Sequence, residues 1–231
     1  MKLARRFGLV GIALVLLAGG ANASVPPQFE FGLTGGFDYP SETGRFVGAL
    51  GMFDQRLDTA NGASVGVFGD LWSHDGVVAV GVDLTLTHFS SDDLILYNSS
   101  GQFDYVSNIE SSPLFIAVHL KWAPTQARPF WVEAGVGEAA VQSRYYSLYV
   151  DRCAPVQSVG GASYRETTSP FGFRLGAGAK LWDNGAGVRL DVVGRYQWLD
   201  AAALRVGSAG PAGFADVGLS LAFGRPRARE N

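Results

Sequence analysis

The chain is poor in the residues that mark several common protein classes. It contains one cysteine, Cys153, so no intramolecular disulfide framework is possible. It contains three histidines, His74, His88 and His119. They are far apart and show no metal-ligand spacing, so neither a metal site nor a cofactor is expected. Charged residues make up 17% of the chain, with a net charge of −3. Setting aside Lys2, Arg5 and Arg6 at the N-terminus leaves −6. That balance lacks the basic footprint of a nucleic-acid partner. Beyond residue 23 there is no apolar run of 18 residues, which excludes a second membrane helix. An exported domain of this size without disulfides needs either a large core or a solvent other than water.

Export is written at the start. Lys2, Arg5 and Arg6 precede the apolar run Phe7 to Leu17, and Ala21-Asn22-Ala23 has the small-residue pattern of a cleavage site. These features predict a signal peptide over 1–23. What the chain does have is 31 glycines, 15 phenylalanines, 8 tyrosines and 5 tryptophans. Glycine weakens ordinary strands, but it suits tightly curved ones whose side chains crowd a small interior.

Period two, the strand period, dominates the rest. It predicts strands at about 28–39, 62–72, 77–88, 113–122, 129–142, 169–182, 186–198 and 213–223. In V-V-A-V-G-V-D-L-T-L-T-H, Val78, Val80, Val82, Leu84 and Leu86 share one face. Ala79, Gly81, Asp83, Thr85 and Thr87 share the other. Short connections at 73–76, 123–128 and 183–185 alternate with long ones at 40–61, 89–112, 143–168 and 199–212. Short turns at one end, long loops at the other, and strands of about ten residues that are apolar outside and polar inside describe a transmembrane β-barrel. A strand protein in lipid has to close on itself, because every backbone amide needs a partner. The predicted fold is therefore an all-β, antiparallel, up-and-down barrel over 24–223. Eight strands fit the long-short order. Ten follow if 45–55 and 94–106 are also staves.

The last strand, D-V-G-L-S-L-A-F, carries Asp216, Gly218, Leu221 and Phe223 at the spacing of a terminal-strand assembly signal. Together with R-P-F-W-V-E-A-G-V-G (128–137) and P-F-G-F-R-L-G-A-G (170–178), it resembles the small eight-strand outer-membrane barrels of the OmpA-transmembrane-domain and OmpX type. The resemblance spans essentially the whole mature chain. It implies a place in the outer membrane of a Gram-negative cell envelope, among outer-membrane lipids and lipopolysaccharide. It also implies insertion by the barrel assembly machinery, which reads the last strand. Members of that family commonly end on the aromatic residue. This chain continues through G-R-P-R-A-R-E-N (224–231), expected to be a short periplasmic tail.

Alternation assigns an inward set of Glu30, Asp70, Asp83, Glu133, Asp191 and Asp216 with Lys121, Arg174, Lys180, Arg189 and Arg195. Eight strands enclose an interior that side chains fill, and charges there have to pair. A salt-bridged plug is expected, with a narrow small-solute pore as the alternative. Trp72, Trp122, Trp131, Trp182, Trp198, Phe29, Tyr39 and Phe223 fall near strand ends and are assigned to aromatic belts at the interfaces. His88 and Ser90 share an outward face. That pair resembles the outer-membrane lipid A deacylases, which use a serine activated by a base, although Ser91 stands where those enzymes have asparagine. The resemblance would make the chain an acyl hydrolase. The expected role is instead structural or recognitional, without enzymatic activity. An unidentified extracellular ligand would meet the long loops. The third of these carries Cys153 and the tyrosines Tyr145, Tyr146, Tyr149 and Tyr164.

Overall fold

The computed structural model describes residues 28–43, 45–48, 51–56, 62–91, 94–97, 103–150, 159–200 and 211–224. The signal peptide, Cys153 and the tail beyond Gly224 lie outside these residues. So do the side chains of Tyr145, Tyr146, Tyr149 and Tyr164.

Twelve strands are seen among the described residues: β1 (Gln28–Thr43), β2 (Arg45–Gly48), β3 (Gly51–Arg56), β4 (Gly62–Trp72), β5 (Val78–Ser91), β6 (Leu94–Tyr97), β7 (Phe103–Trp122), β8 (Phe130–Val150), β9 (Val159–Thr168), β10 (Phe171–Asp183), β11 (Val188–Leu199) and β12 (Pro211–Gly224). Eight of them form a closed ring in the order β7-β5-β4-β1-β12-β11-β10-β8, sealed by the β7–β8 pairing. Every pairing is antiparallel. The first and last staves meet directly, with Phe31 opposite Phe223 and Gly36 opposite Gly218.

Neither extra segment adds a stave of its own; 103–106 is the far end of β7. β2 and β3 form a two-stranded ribbon that, among the described residues, pairs only with itself. β6 adds to the upper part of β7, Leu94 opposite Val106. The third long connection is shorter than 143–168. β8 runs on to Val150, and β9 returns beside it with Arg144 opposite Arg165. β9 and β10 together follow β8, interrupted at Ser169-Pro170. Proline has no N–H to give to a ladder, and at this break the Pro170 carbonyl accepts from Ala139 N at 2.9 Å.

The short turns explain themselves locally. In Ser73–Val77, the Ser73 hydroxyl and Val77 N donate to Asp75 Oδ1 at 2.5 and 3.1 Å, and Gly76 takes φ +66. The Ser73 hydrogen bond, with the Val77 amide, holds the Asp75 carboxyl below its usual range. At the 184–187 turn, Asn184 Oδ1 accepts from Ala186 N and Val188 N at 2.8 and 2.9 Å, and Gly185 takes φ +68.

The outward faces are apolar from turn end to mid-strand. On β1 they show Phe29, Phe31, Leu33, Phe37 and Tyr39. On β5 they show Val78, Val82, Leu84 and Leu86, and on β12 Val217 and Leu219, all exposed. The β1 and β5 runs each cover about ten residues, or about 25 Å for strands tilted as barrels require. The molecule is turned inside out relative to a water-soluble one. Large apolar side chains line its outer surface, and among the described residues more than half of the buried side chains are polar or charged.

Candidate functional site

The interior is built in three layers. Nearest the short turns, Trp72 (0% exposed) and Trp131 (1%) fill the lumen with Ala79, Ala123 and Val193. The Arg128 guanidinium lies 3.8 Å from the Trp72 ring centre. Arg128 reaches this position from the turn with φ 46, a left-handed backbone uncommon for a side-chain-bearing residue. It donates to Glu30 Oε2 at 2.9 Å and to Gln28 Oε1 at 3.0 Å. Arg189 grips the same Glu30 at 3.0 and 3.1 Å and Asp191 at 2.9 Å. Trp131 Nε1 donates to Asp191 at 3.0 Å.

The middle layer is one connected network. His119 lies between Asp70 (2.6 Å, Nε2) and Asp83 (2.9 Å, Nδ1). Lys121 donates to Asp70 at 2.7 Å and lies 3.8 Å from Glu133. Arg174 pairs with Asp83 and lies 3.4 Å from Glu133, to which Arg195 donates at 2.8 Å. Glycine makes the room. A Cβ on Gly81 would collide with Asp70 Oδ1 and His119 Nε2, and one on Gly176 would lie 2.8 Å from Glu133 Oε1.

Above this level Asp38 faces Asp216 across the β1–β12 seam. The Ser64 hydroxyl donates to Asp216, whereas both oxygens of Asp38 lack a hydrogen-bond partner. Among the described residues the buried acids are Glu30, Asp38, Asp70, Asp83, Glu133, Asp191 and Asp216. The buried bases are Lys121, Arg128, Arg174, Arg189 and Arg195, with His119. The acidic excess sits at Asp38. The third layer, towards the long connections, is hydrocarbon: Phe89, Phe115, Phe214, Leu199, Val141, Ala117 and Ala139. Phe89 and Phe214 meet edge-on with ring centres 5.2 Å apart.

Ten members of the inward set, Glu30, Asp70, Asp83, Lys121, Glu133, Arg174, Arg189, Asp191, Arg195 and Asp216, are buried. Lys180 is not among them. It sits at the turn end, donating to Ala127 O at 2.9 Å, with its side chain 25% exposed and 3.7 Å from Asp183. A register shift between Lys180 and Trp182 breaks the alternation there and leaves both Leu181 and Trp182 outside. Trp72 and Trp131 are corrections too. They are lumenal fillers, not belt residues. Their parity with Asp70 and Glu133 already placed them inside. Trp122, Trp182, Phe29 and Tyr39 are exposed on the outer face. Trp198 stacks on Phe173, and Phe223 on Phe31. His119, which shares parity with Lys121, faces inward as its place in the alternation requires; Arg128 is the lumenal residue that the alternation does not mark. On the last strand, Gly218 has no room for a Cβ against the Gly35 carbonyl. Leu221 and Phe223 alternate outward from the inward-facing Asp216.

His88 and Ser90 are not joined. Two residues apart on one strand, they stand about 7 Å apart along it. His88 Nδ1 is instead 3.0 Å from Ser112 Oγ on β7, and Ser90 is the cross-strand partner of Glu110.

No protein-family model and no curated protein matches the chain. Solved structures with a similar chain path include the Neisserial surface protein A, at 13% identity and TM-score 0.44, covering 84% of this chain and 96% of that one. OprG from Pseudomonas aeruginosa matches at 13% identity and TM-score 0.45, covering 86% and 98%. Ail, the attachment invasion locus protein of Yersinia pestis, matches at 8% identity and TM-score 0.41, covering 84% and 97%. The chain is similar to these small outer-membrane barrels in its fold. The closed eight-strand ring itself is read from its own strand pairing.

Proposed function

We propose that the chain is an outer-membrane barrel whose interior is a structural plug and whose role, recognition or scaffolding, is exercised from the long-strand end. The observation that carries this is the pairing of a filled lumen with extended strands. Tryptophans close one end, phenylalanines the other, and ion pairs lie between them. A solute path would have to break all three layers. β7 and β8, by contrast, run for 20 and 21 residues, about twice what the apolar belt needs. They form a platform beyond the belt. Catalysis is not part of this reading. Ser90→Ala should leave the acylation of membrane lipids unchanged.

The location is tested with Cys153, which follows β8 in the connection to β9. A membrane-impermeant maleimide should label it on intact cells as fully as on lysed cells. Labelling only after lysis would invert the orientation and defeat the proposal.

A further inference from the structure

The outward face of β8, followed away from its turn, reads Phe130, Val132, Ala134, Val136, Glu138, Ala140, Gln142 and Arg144. Glu138 interrupts the apolar residues of that face, and the belt ends at the level of Ala140, where Leu114 on β7 stands opposite. Arg144 stands about 10 Å beyond it, at roughly 2.5 Å of height per tilted residue. Its direct partner on β9 is Arg165, and both side chains are exposed. Two guanidinium groups therefore leave adjacent strands on the same face, their Cβ atoms about 5 Å apart. Like charges placed directly opposite one another disfavour strand pairing. Neither arginine forms an ion pair among the described residues. Glu110, opposite Arg144 on the other side, forms no ion pair with it either. The neighbouring outward side chains are polar: Gln142 and its partner Thr167, then Ser112. An anion between the two guanidiniums would remove the repulsion and give each a forked partner. At this height beside a bilayer, the anion present at high density is a headgroup phosphate.

We propose that Arg144 and Arg165 dock the phosphate of a phosphorylated lipid in the surrounding outer leaflet. This rests on the outer-membrane reading above. The occupant is lateral, held in the plane of the leaflet by its own acyl chains, so the site pins the β8–β9 extension against the membrane surface.

The full chain is placed in phosphatidylcholine nanodiscs containing a few percent of phosphatidic acid, and bound lipid is counted by native mass spectrometry. The wild type should retain phosphatidic acid over diacylglycerol. R165Q should lose about fivefold and R144Q/R165Q about 30-fold, as expected for one surface arginine and for two. E110Q should tighten retention. R144K/R165K keeps the charge and loses the fork, so it should fall between wild type and the glutamine double variant. Heat-modifiable gel mobility reports folding independently for each variant. Equal retention by a folded R144Q/R165Q would overturn the proposal. So would displacement of the lipid by millimolar inorganic phosphate as readily from wild type as from the variant, which would mark a site for soluble phosphate. A wild-type chain that never enters the discs defeats the membrane reading itself. That outcome is visible before any lipid is scored.

Discussion

The two faces of the same strands obey opposite rules. On β5, Val82, Leu84 and Leu86 point outward and remain exposed, while Asp83 and Thr85 point inward and are buried. These outward positions are interchangeable hydrocarbon, because lipid is an apolar solvent and makes few demands of shape. Inward positions are individually matched. Asp83 needs both His119 and Arg174, Glu30 needs both Arg128 and Arg189, and Gly81 needs to have no side chain at all. A substitution on one face should therefore behave differently from its neighbour one residue away.

The largest effect is expected inside. Arg174→Ala leaves Asp83 with His119 as its one remaining basic partner and weakens the pairing of Glu133, so it should lower the unfolding free energy by about 3 kcal/mol in a urea titration of the bilayer-inserted protein. Next comes the depth dependence of the outer face. Val82→Arg, near the middle of the belt, should cost about 2–4 kcal/mol, whereas Val78→Arg at the turn end should cost about 1 kcal/mol or less. Equal costs at the two depths would mean that no lipid surrounds the strand. The sign should reverse at one interior acid. Asp38→Asn removes a buried carboxylate that faces Asp216 without a cation, and should stabilise the barrel by about 1 kcal/mol. A loss of stability would reveal a partner that this account does not contain. The smallest effect belongs to the exposed turn. Asp75→Asn should change stability by about 0.5 kcal/mol or less. The folded carboxyl titrates below its unfolded value. Its contribution is therefore present above the ordinary carboxylate range and fades as pH falls through the folded pKa. The difference between Asp75→Asn and wild type should accordingly vanish in acid.

Much of the interior was legible from parity alone. Counting by twos from Asp70 reaches Trp72, and from Lys121 it reaches His119. Assigning Trp72 and Trp131 to the belt let composition override that count. Asp38 has the parity of Glu30 and was equally readable. Three features were not. The irregularity at Lys180–Trp182 interrupts the count by which an inward lysine is recognised. Arg128 enters the lumen from a left-handed turn position that no periodicity marks. The far halves of β7, β8 and β9 lie beyond the apolar belt, where the sequence mixes polar, aromatic and aliphatic residues without a steady period of two. The alternation that reveals a lipid-immersed strand disappears there, although backbone pairing continues. For the same reason Arg144 and Arg165 became neighbours only through strand register, and His88 met Ser112 rather than Ser90.

The central claim is that the lumen is shut and the working surface lies outside it. Planar-bilayer recording tests this most directly, with the wild type compared against F89A/F214A, which removes the facing rings of the outer cap. The account expects no discrete conductance from the wild type. The double variant, destabilised by several kcal/mol, should remain silent or give only brief openings, because the ion-paired layer and the tryptophans still block the path. Regular, reproducible conductance steps from the folded wild-type barrel would contradict the account.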